Sequence, residues 1–272
     1  MPDISLIILN FNNAGLTREC VKNFKNHSTA ATLEIIVVDN SRDTALAETL
    51  RMRYPDVVYI PMKANVGFAR GNNAGIARAT GRYIAIVNYD ITPLPGALDG
   101  FMRYMDERPD VGIAAPKLYN PDGSVQQSYY RFHTLLTPFY RRLFVGRFQF
   151  AQRNLDSFLM RDADMSKPQD VDWVLGAFLF VRREAIEHVG AFDERFFLYF
   201  EDTDWCRRFH ISGWRVRYLP HIGLLHLHLR DSAHTMGIRA LLHKTTRTHI
   251  ISAWRYFLKQ WRGGYKVNRE AS

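Results

Sequence analysis

The chain has 272 residues, of which 47% are hydrophobic and 13% aromatic, with a formal net charge of +9. That length allows one large domain or two small ones around a sizeable core, and the composition excludes a largely disordered chain. No apolar run reaches the ~18–20 residues of a membrane-spanning helix, and Met1–Asn13 lacks the basic start of a signal peptide, so it reads as a first strand. Cys20 and Cys206 match neither a disulfide framework nor a zinc-ligand spacing, which fits a reducing compartment.

Ile4 to Leu9 reads as a strand that ends in the turn Asn10-Phe11-Asn12-Asn13. Leu16, Cys20, Val21 and Phe24 recur at helical spacing, so a helix follows. A second strand, Leu33 to Val38, ends in Asp39-Asn40-Ser41; a polar helix from Thr44 to Arg53 and a short strand from Val57 to Ile60 come next. This alternation predicts a parallel sheet. The stretch Asn65 to Gly75 is rich in Gly and Asn and runs into a short helix. It is neither a GxGxxG fingerprint nor a P-loop. Two readings stay open for it: a loop whose backbone N–H groups and Arg70 meet a phosphate, or an ordinary connection.

Tyr83 to Val87 is an apolar run that stops at Asn88-Tyr89-Asp90. It has the pattern of a buried parallel strand, and an acid at its carboxyl end faces the crevice where open α/β sheets bind ligands. Such a carboxylate suits Mg2+ or Mn2+, although a turn former ahead of Pro93 would use the same residue. A helix from Leu98 to Asp106, a strand from Val111 to Ala115 and a turn at Asn120-Pro121-Asp122-Gly123 follow. Between Tyr129 and Lys167, aromatic and aliphatic residues interleave with Arg131, Arg141, Arg142 and Arg147. That pattern predicts a basic amphipathic helix, placed either on an anionic membrane surface or against the core with a solvated basic face.

Asp172 to Val181 reads as one buried strand in which Gly176 permits a close approach, and Arg182 to Gly190 as a short helix. An aromatic run then leads into Glu201-Asp202-Thr203-Asp204. A carboxylate beside apolar walls keeps its basicity and can take a proton from a hydroxyl. Helix capping by Asp202 or Asp204 is the competing use, but capping needs only one acid. Trp214 to Leu219 is a strand, and His226 and His228 would share one face beyond it, one of them able to join Asp90 on a metal. Ile238 to Trp261 predicts a helix with Trp and Lys/Arg together, as a membrane interface favours.

Taken in order, ILNFNN (8–13), EIIVVDNSRD (34–43), NVGFARGNNAGI (65–76), the strand ending at Asn88-Tyr89-Asp90, WVLGAFLFVRREAIEHVGAFDERFF (173–197) and FEDTDWCRR (200–208) resemble the family 2 glycosyltransferases of the GT-A fold, especially bacterial rhamnosyltransferase-like members. The resemblance implies an α/β fold with a Rossmann-like, mostly parallel central sheet and helices on both faces. A glycosyltransferase domain would span 1–235, with a nucleotide-sugar half (1–115) and an acceptor half (116–235) carrying an insertion at 129–170. A basic amphipathic helical segment would occupy 236–272.

It also implies inverting transfer of a sugar, rhamnose in the suggested subfamily, from a dTDP- or UDP-sugar donor to a glycan or polyprenyl-diphosphate-linked acceptor, with a divalent metal. By position, Asp39 would bind the base or ribose, and Asn10, Asn65, Arg70 and Asn88 would line the nucleotide. Asp90 matches the last acid of the family's DxD motif and His226 its late histidine, both at the metal. Asp202 matches the general base, and Trp173, Gly176 and Glu201 the acceptor side. Asn88 stands where the motif's first acid would be, which weakens the case for metal. The implied location is peripheral, on the cytoplasmic face of the cell membrane. A nucleotidyltransferase would want a basic Gly-rich first loop, which Asn10 to Gly15 lacks. A non-catalytic or nucleic-acid-binding module finds no helix-turn-helix, zinc-finger or RNA-binding signature.

Overall fold

A computed structural model describes residues 1–41, 44–142, 148–227 and 244–265. Expectations for Arg42 and Asp43, for 143–147, for His228 and the rest of 228–243, and for 266–272 lie outside the described residues. In chain order the elements are β1 (Ile4–Asn10), α1 (Ala14–Lys25), β2 (Leu33–Asp39), α2 (Ala45–Arg53), β3 (Val58–Pro61), α3 (Phe68–Arg78), β4 (Tyr83–Asn88), β5 (Ile91–Pro93), α4 (Ala97–Asp106) and β6 (Val111–Tyr119). There follow β7 (Val125–Gln126), β8 (Tyr129–Tyr130), α5 (Thr137–Arg142), α6 (Gln149–Phe158), β9 (Gln169–Asp170), β10 (Trp173–Val174), β11 (Phe178–Arg182), α7 (Arg183–Val189), α8 (Glu201–Ile211), β12 (Arg215–His226) and α9 (Lys244–Trp261).

The main sheet runs β3-β2-β1-β4-β11-β6-β12-β5. β3, β2, β1 and β4 are mutually parallel. β11 enters antiparallel between β4 and β6, while β12 lies parallel to β6. Short antiparallel strands finish the sheet: β5 and β9 on β12, and β7 on β6. The strand order reverses between β1 and β4, so a ligand crevice forms beyond their carboxyl ends.

Strict alternation along the strands places one side-chain set on each face of the sheet. Ile4, Leu6 and Ile8 of β1, with Tyr83, Ala85 and Val87 of β4, pack under α1, α2 and α4. Ile7 and Leu9 of β1, with Ile84 and Ile86 of β4, pack under α3, α7 and α8. α1 meets its face through Thr17, Cys20, Val21 and Phe24, a stripe at i, i+3, i+4 and i+7. The two cysteines are free and buried, and they sit on opposite faces of the sheet.

Two expectations change. Asp172 to Val181 is not one strand. β10 pairs with β8 in a separate two-stranded sheet, and β11 joins the main sheet. The chain turns at Leu175-Gly176-Ala177, where Gly176 sits against Phe68 and Asp202 so closely that an added methyl group would lie 3.3 Å from the Phe68 ring. The segment from Tyr129 to Lys167 is likewise no single amphipathic helix: it holds β8, the short α5 and α6, whose Ala151 and Phe158 are buried.

Candidate active site

Register sets the first half of the site. Asn10 pairs with Asp39, and Leu9 with Asn88, so the ends of β1, β2 and β4 finish at one edge. Asp39 is 1% exposed, and donors surround its carboxylate: Asn10 Nδ2 at 2.7 Å and the Ser41 backbone N–H at 2.8 Å on Oδ1, and the Tyr59 hydroxyl at 2.7 Å on Oδ2. Asn10 is itself fixed, its Oδ1 accepting from the Asn13 backbone and from Thr17 Oγ1. The result is a rigid polar floor at the crevice.

The Gly/Asn stretch forms the adjacent wall. Asn65 Oδ1 accepts from the Gly67 N–H at 3.0 Å, and Asn40 Nδ2 donates to the Gly67 carbonyl. Gly67 has φ +87° and faces the Phe197 carbonyl, which accepts from the Phe68 N–H at 2.7 Å. Arg70 is engaged elsewhere: its Nε donates to Glu194 at 2.9 Å in an exposed ion pair. Pairs of that kind contribute at most ~1 kcal/mol, so the guanidinium is free to exchange partners.

Beyond Asn88 the chain turns through Tyr89 to Asp90, and β5 then pairs with the end of β12, setting His226 opposite Ile91. His226 Nε2 thereby reaches 3.3 Å from Asp90 Oδ1, with both residues buried. Gln126 Oε1 lies 2.8 Å from His226 Nδ1 and accepts from it, which fixes the ring with Nε2 towards Asp90. Asp90 Oδ1 is buried and receives no well-angled hydrogen bond among the described residues. An oxygen and an imidazole nitrogen suit a divalent ion whose remaining positions are filled by water and phosphate oxygens, so these residues fit the Mg2+ or Mn2+ that the family implies. Among the described residues no group of three or more His, Cys, Asp or Glu side chains could hold a metal on its own.

The second carboxylate group of the site is built at the start of α8. Tyr199 and Phe200 both adopt positive φ, 70° and 67°, which is costly for aromatic residues and is held here by packing. That tight reversal delivers Glu201 and Asp202 into the first turn of α8, where the helix dipole favours carboxylates. None of the three acids caps the helix; Phe200 occupies the N-cap. Asp202 Oδ2 accepts from the Gly176 N–H at 3.0 Å, and Oδ1 from the Thr203 N–H at 2.7 Å. Burial raises the Asp202 carboxyl above the usual range in spite of those two donors. Burial, and then the neighbouring Asp202 charge, raise Glu201 well above its usual value, and its Oε2 has no hydrogen-bond partner among the described residues.

Two backbone bonds among those that join the two halves lie at the site itself: the Phe68 N–H donates to the Phe197 carbonyl, and the Asn88 N–H donates to the Ala177 carbonyl, next to Gly176. The structure thus brings Asn10, Asp39 and Asn88 together, pairs Asp90 with His226, and seats Asp202 on Gly176. Arg70 is paired with Glu194. Trp173 is buried in a stack with Tyr130 and His133, its indole N–H on the Arg131 carbonyl. Sequence reasoning missed Tyr59 on Asp39 and Gln126 on His226. Each lies in a different element from its partner, and no local spacing announces such a pair.

Comparison with known proteins agrees with this architecture. The profile described as "Glycosyl transferase family 2" matches residues 5–189. The chain is 28% identical over 229 residues to the N-acetylglucosaminyl-diphospho-decaprenol L-rhamnosyltransferase of Mycobacterium tuberculosis, covering 77% of this chain and 70% of that one. It is 24% identical over 233 residues to the rhamnosyltransferase WbbL of Escherichia coli, covering 83% and 82%. Among solved structures, GalNAc-T7 with UDP, GalNAc and Mn2+ superposes with a TM-score of 0.66 at 12% identity, over 97% of this chain and 50% of that one. The Pyrobaculum calidifontis mannosyltransferase PcManGT with GDP-Man and Mn2+ gives 0.58 at 17% identity, over 96% and 75%. At such identities the structural likeness establishes the GT-A fold alone. With the profile match spanning well over half of its length, the chain belongs to glycosyl transferase family 2 and is a sugar-transferring enzyme.

Proposed function

We propose that this enzyme catalyses inverting transfer of a hexosyl group, rhamnose as the leading candidate, from a dTDP- or UDP-sugar to a hydroxyl of a glycan or polyprenyl-diphosphate-linked acceptor, in cell-wall or polysaccharide assembly. The observation that carries the reading is Asp202, a buried carboxylate of raised basicity fixed by the Gly176 N–H at the acceptor end of the crevice. A base whose pKa approaches the working pH is well matched to deprotonating a sugar hydroxyl. Asp202 takes that proton, the freed oxygen attacks the anomeric carbon, and the bond to the diphosphate breaks on the opposite face. No second carboxylate nucleophile is needed, unlike in retaining glycosidases.

Asn10, Asp39, Asn65 and Asn88 form the donor pocket, with Arg70 joining once it leaves Glu194. Asp90 and His226 would hold Mg2+ or Mn2+. Such an ion supplies charge neutralisation on the departing diphosphate. Trp173, Gly176 and Glu201 shape the acceptor side. The rhamnosyl and lipid-linked specificity draws on the names of the mycobacterial and E. coli relatives.

We also place the enzyme peripherally on the cytoplasmic membrane face. No described helix is long and apolar enough to cross a membrane. α9, however, presents Ile250, Ile251, Trp254 and Trp261 to solvent and contains no acidic residue. A Trp-bearing basic helix suits the headgroup region of an anionic bilayer.

The deciding experiment offers dTDP-L-rhamnose and N-acetylglucosaminyl-diphospho-polyprenol to the wild type and to Asp202→Asn. The expected result is loss of transfer in the variant, with nucleoside diphosphate binding retained. A fully active Asp202→Asn enzyme would remove the base assignment.

A further inference from the structure

α9 closes over the part of the site most in need of support. The reversal at Tyr199-Phe200, with its two positive φ angles, sits directly before Asp202. Three polar contacts from α9 hold the segment leading into that reversal and the helix that follows it. Ser252 Oγ donates to the Leu198 carbonyl at 2.8 Å, Arg255 donates to the Arg195 carbonyl, and the Tyr256 hydroxyl receives Arg207 Nε at 2.8 Å. Phe200 packs against His249 and Tyr256, with ring centroids 5.3 Å away in each case. Ser252 and Tyr256 are 1% and 0% exposed, so this is an interior joint.

At its centre is Asp204, two residues beyond Asp202 and fully buried. Its Oδ1 accepts from Lys259 Nζ at 2.6 Å and from the Tyr265 hydroxyl at 2.8 Å, and its Oδ2 accepts from Arg208 Nε at 3.0 Å. Lys259 also bridges to Asp193 at 2.9 Å, at the other end of the aromatic run. One buried ammonium therefore ties the beginning of the 193–200 segment to the first turn of α8.

We propose that Lys259, with Tyr265, is a positioning residue: through Asp204 it locks the first turn of α8 and so fixes the Asp202 carboxylate against Gly176 in its working orientation. A buried carboxylate with three donors is held in place only while all three remain, and displacement of a reacting group by about 1 Å can cost on the order of 100-fold in rate. The clamp rests on the assignment of Asp202 as the base, and it assigns a catalytic contribution to the C-terminal helix, beyond the 5–189 stretch that defines the family.

The test compares Lys259→Met, Lys259→Arg and Tyr265→Phe in the full-length protein, using the substrates of the Asp202→Asn assay together with hydrogen–deuterium exchange over residues 196–206. Lys259→Met should lower kcat about 10- to 100-fold while the KM for dTDP-L-rhamnose stays within about twofold, and exchange at 199–204 should rise. Lys259→Arg should recover part of kcat, and Tyr265→Phe should show a smaller loss with the same unchanged KM. Should Lys259→Met not fold, Tyr265→Phe carries the same comparison. The proposal falls if the folded variants keep wild-type kcat, or if kcat drops while exchange at 199–204 is unaltered. An active Asp202→Asn enzyme would sink the base assignment and leave the exchange result to stand by itself.

Discussion

Replacing Gly67 by Ala isolates the contact that joins the donor wall to the segment leading into α8. Gly67 has φ +87° and ψ −179°, a region that residues with a side chain scarcely enter; occupying it costs of order 1–3 kcal/mol. An added Cβ would also lie 2.3 Å from the Phe197 carbonyl oxygen and 2.8 Å from its ring. The first of these is a backbone atom that already accepts the Phe68 N–H, so relief requires moving one strand of chain off the other. Overpacking of this kind adds about 1–3 kcal/mol. Taking about 4 kcal/mol as the central sum, and roughly 3 °C per kcal/mol for a chain of this size, Tm should fall by about 12 °C. Gly96→Ala is the matched control. Gly96 also has positive φ, +75°, but nothing lies within 4 Å of its added Cβ, so it should lose only about 3 °C for about 1 kcal/mol of strain. Thermal unfolding followed by near-UV circular dichroism, with nucleoside diphosphate titration at 20 °C, measures both effects. If Gly67→Ala lost no more than Gly96→Ala, the close approach of Phe197 would be wrong, and with it the link between the two halves of the site.

Asp90→Ala should abolish the strengthening of nucleoside diphosphate binding by Mn2+ or Mg2+ in calorimetric titration; metal-enhanced affinity that survived the change would move the ion away from Asp90. Glu201→Gln should stabilise the protein at neutral pH. The raised Glu201 carboxyl favours folding fully only below its ordinary value of 4.5, and the advantage is lost as pH rises through the elevated native value, so the variant and wild-type Tm curves should coincide at acid pH and separate upward from about 4.5. Parallel curves throughout would refute the burial argument. Tyr59→Phe removes one of the donors on buried Asp39 and should cost about 1–3 kcal/mol in denaturant unfolding. Trp254→Ala with Trp261→Ala should lower binding to anionic vesicles by at least tenfold without changing Tm; unchanged vesicle binding would separate α9 from the membrane.

Much of this architecture was legible because local patterns decided it. The buried strands β1, β2 and β4 are largely apolar runs, interrupted only by Ser5 and Glu34 near their starts and each closed by a polar residue, and those closing residues are the Asn10, Asp39 and Asn88 that the register brings to one edge. The divided stretch at Gly176 was not legible. An apolar run from Trp173 to Val181 reads as one strand, and only the crowding by Phe68 and Asp202, residues distant in sequence, shows why a glycine stands at the break. The same holds for Arg70. Its place in the Gly/Asn stretch suggests a phosphate, while its resting partner, Glu194, comes from an element more than a hundred residues later. The amphipathic pattern between Tyr129 and Lys167 misled for a different reason. Its apolar residues serve several short elements at once, and Phe158 joins the Tyr130–Trp173 stack instead of extending a helical stripe.

The acid cluster shows how the two kinds of information combine. Three carboxylates in four residues exceed what a helix cap requires, which is a sequence argument for chemistry, but it does not say which acid does what. Three-dimensional partners separate them. Asp204 is consumed by Arg208, Lys259 and Tyr265, Asp202 by two backbone N–H groups with the Thr203 hydroxyl farther off at 3.4 Å, and Glu201 Oε2 by no group among the described residues. A carboxylate enclosed by side-chain cations is a structural anchor, because releasing its proton-accepting capacity would break ion pairs inside the core. One held by backbone donors keeps its orientation while burial raises its basicity, which is what a general base requires. The different roles we propose for Glu201, Asp202 and Asp204 therefore rest on who donates to each.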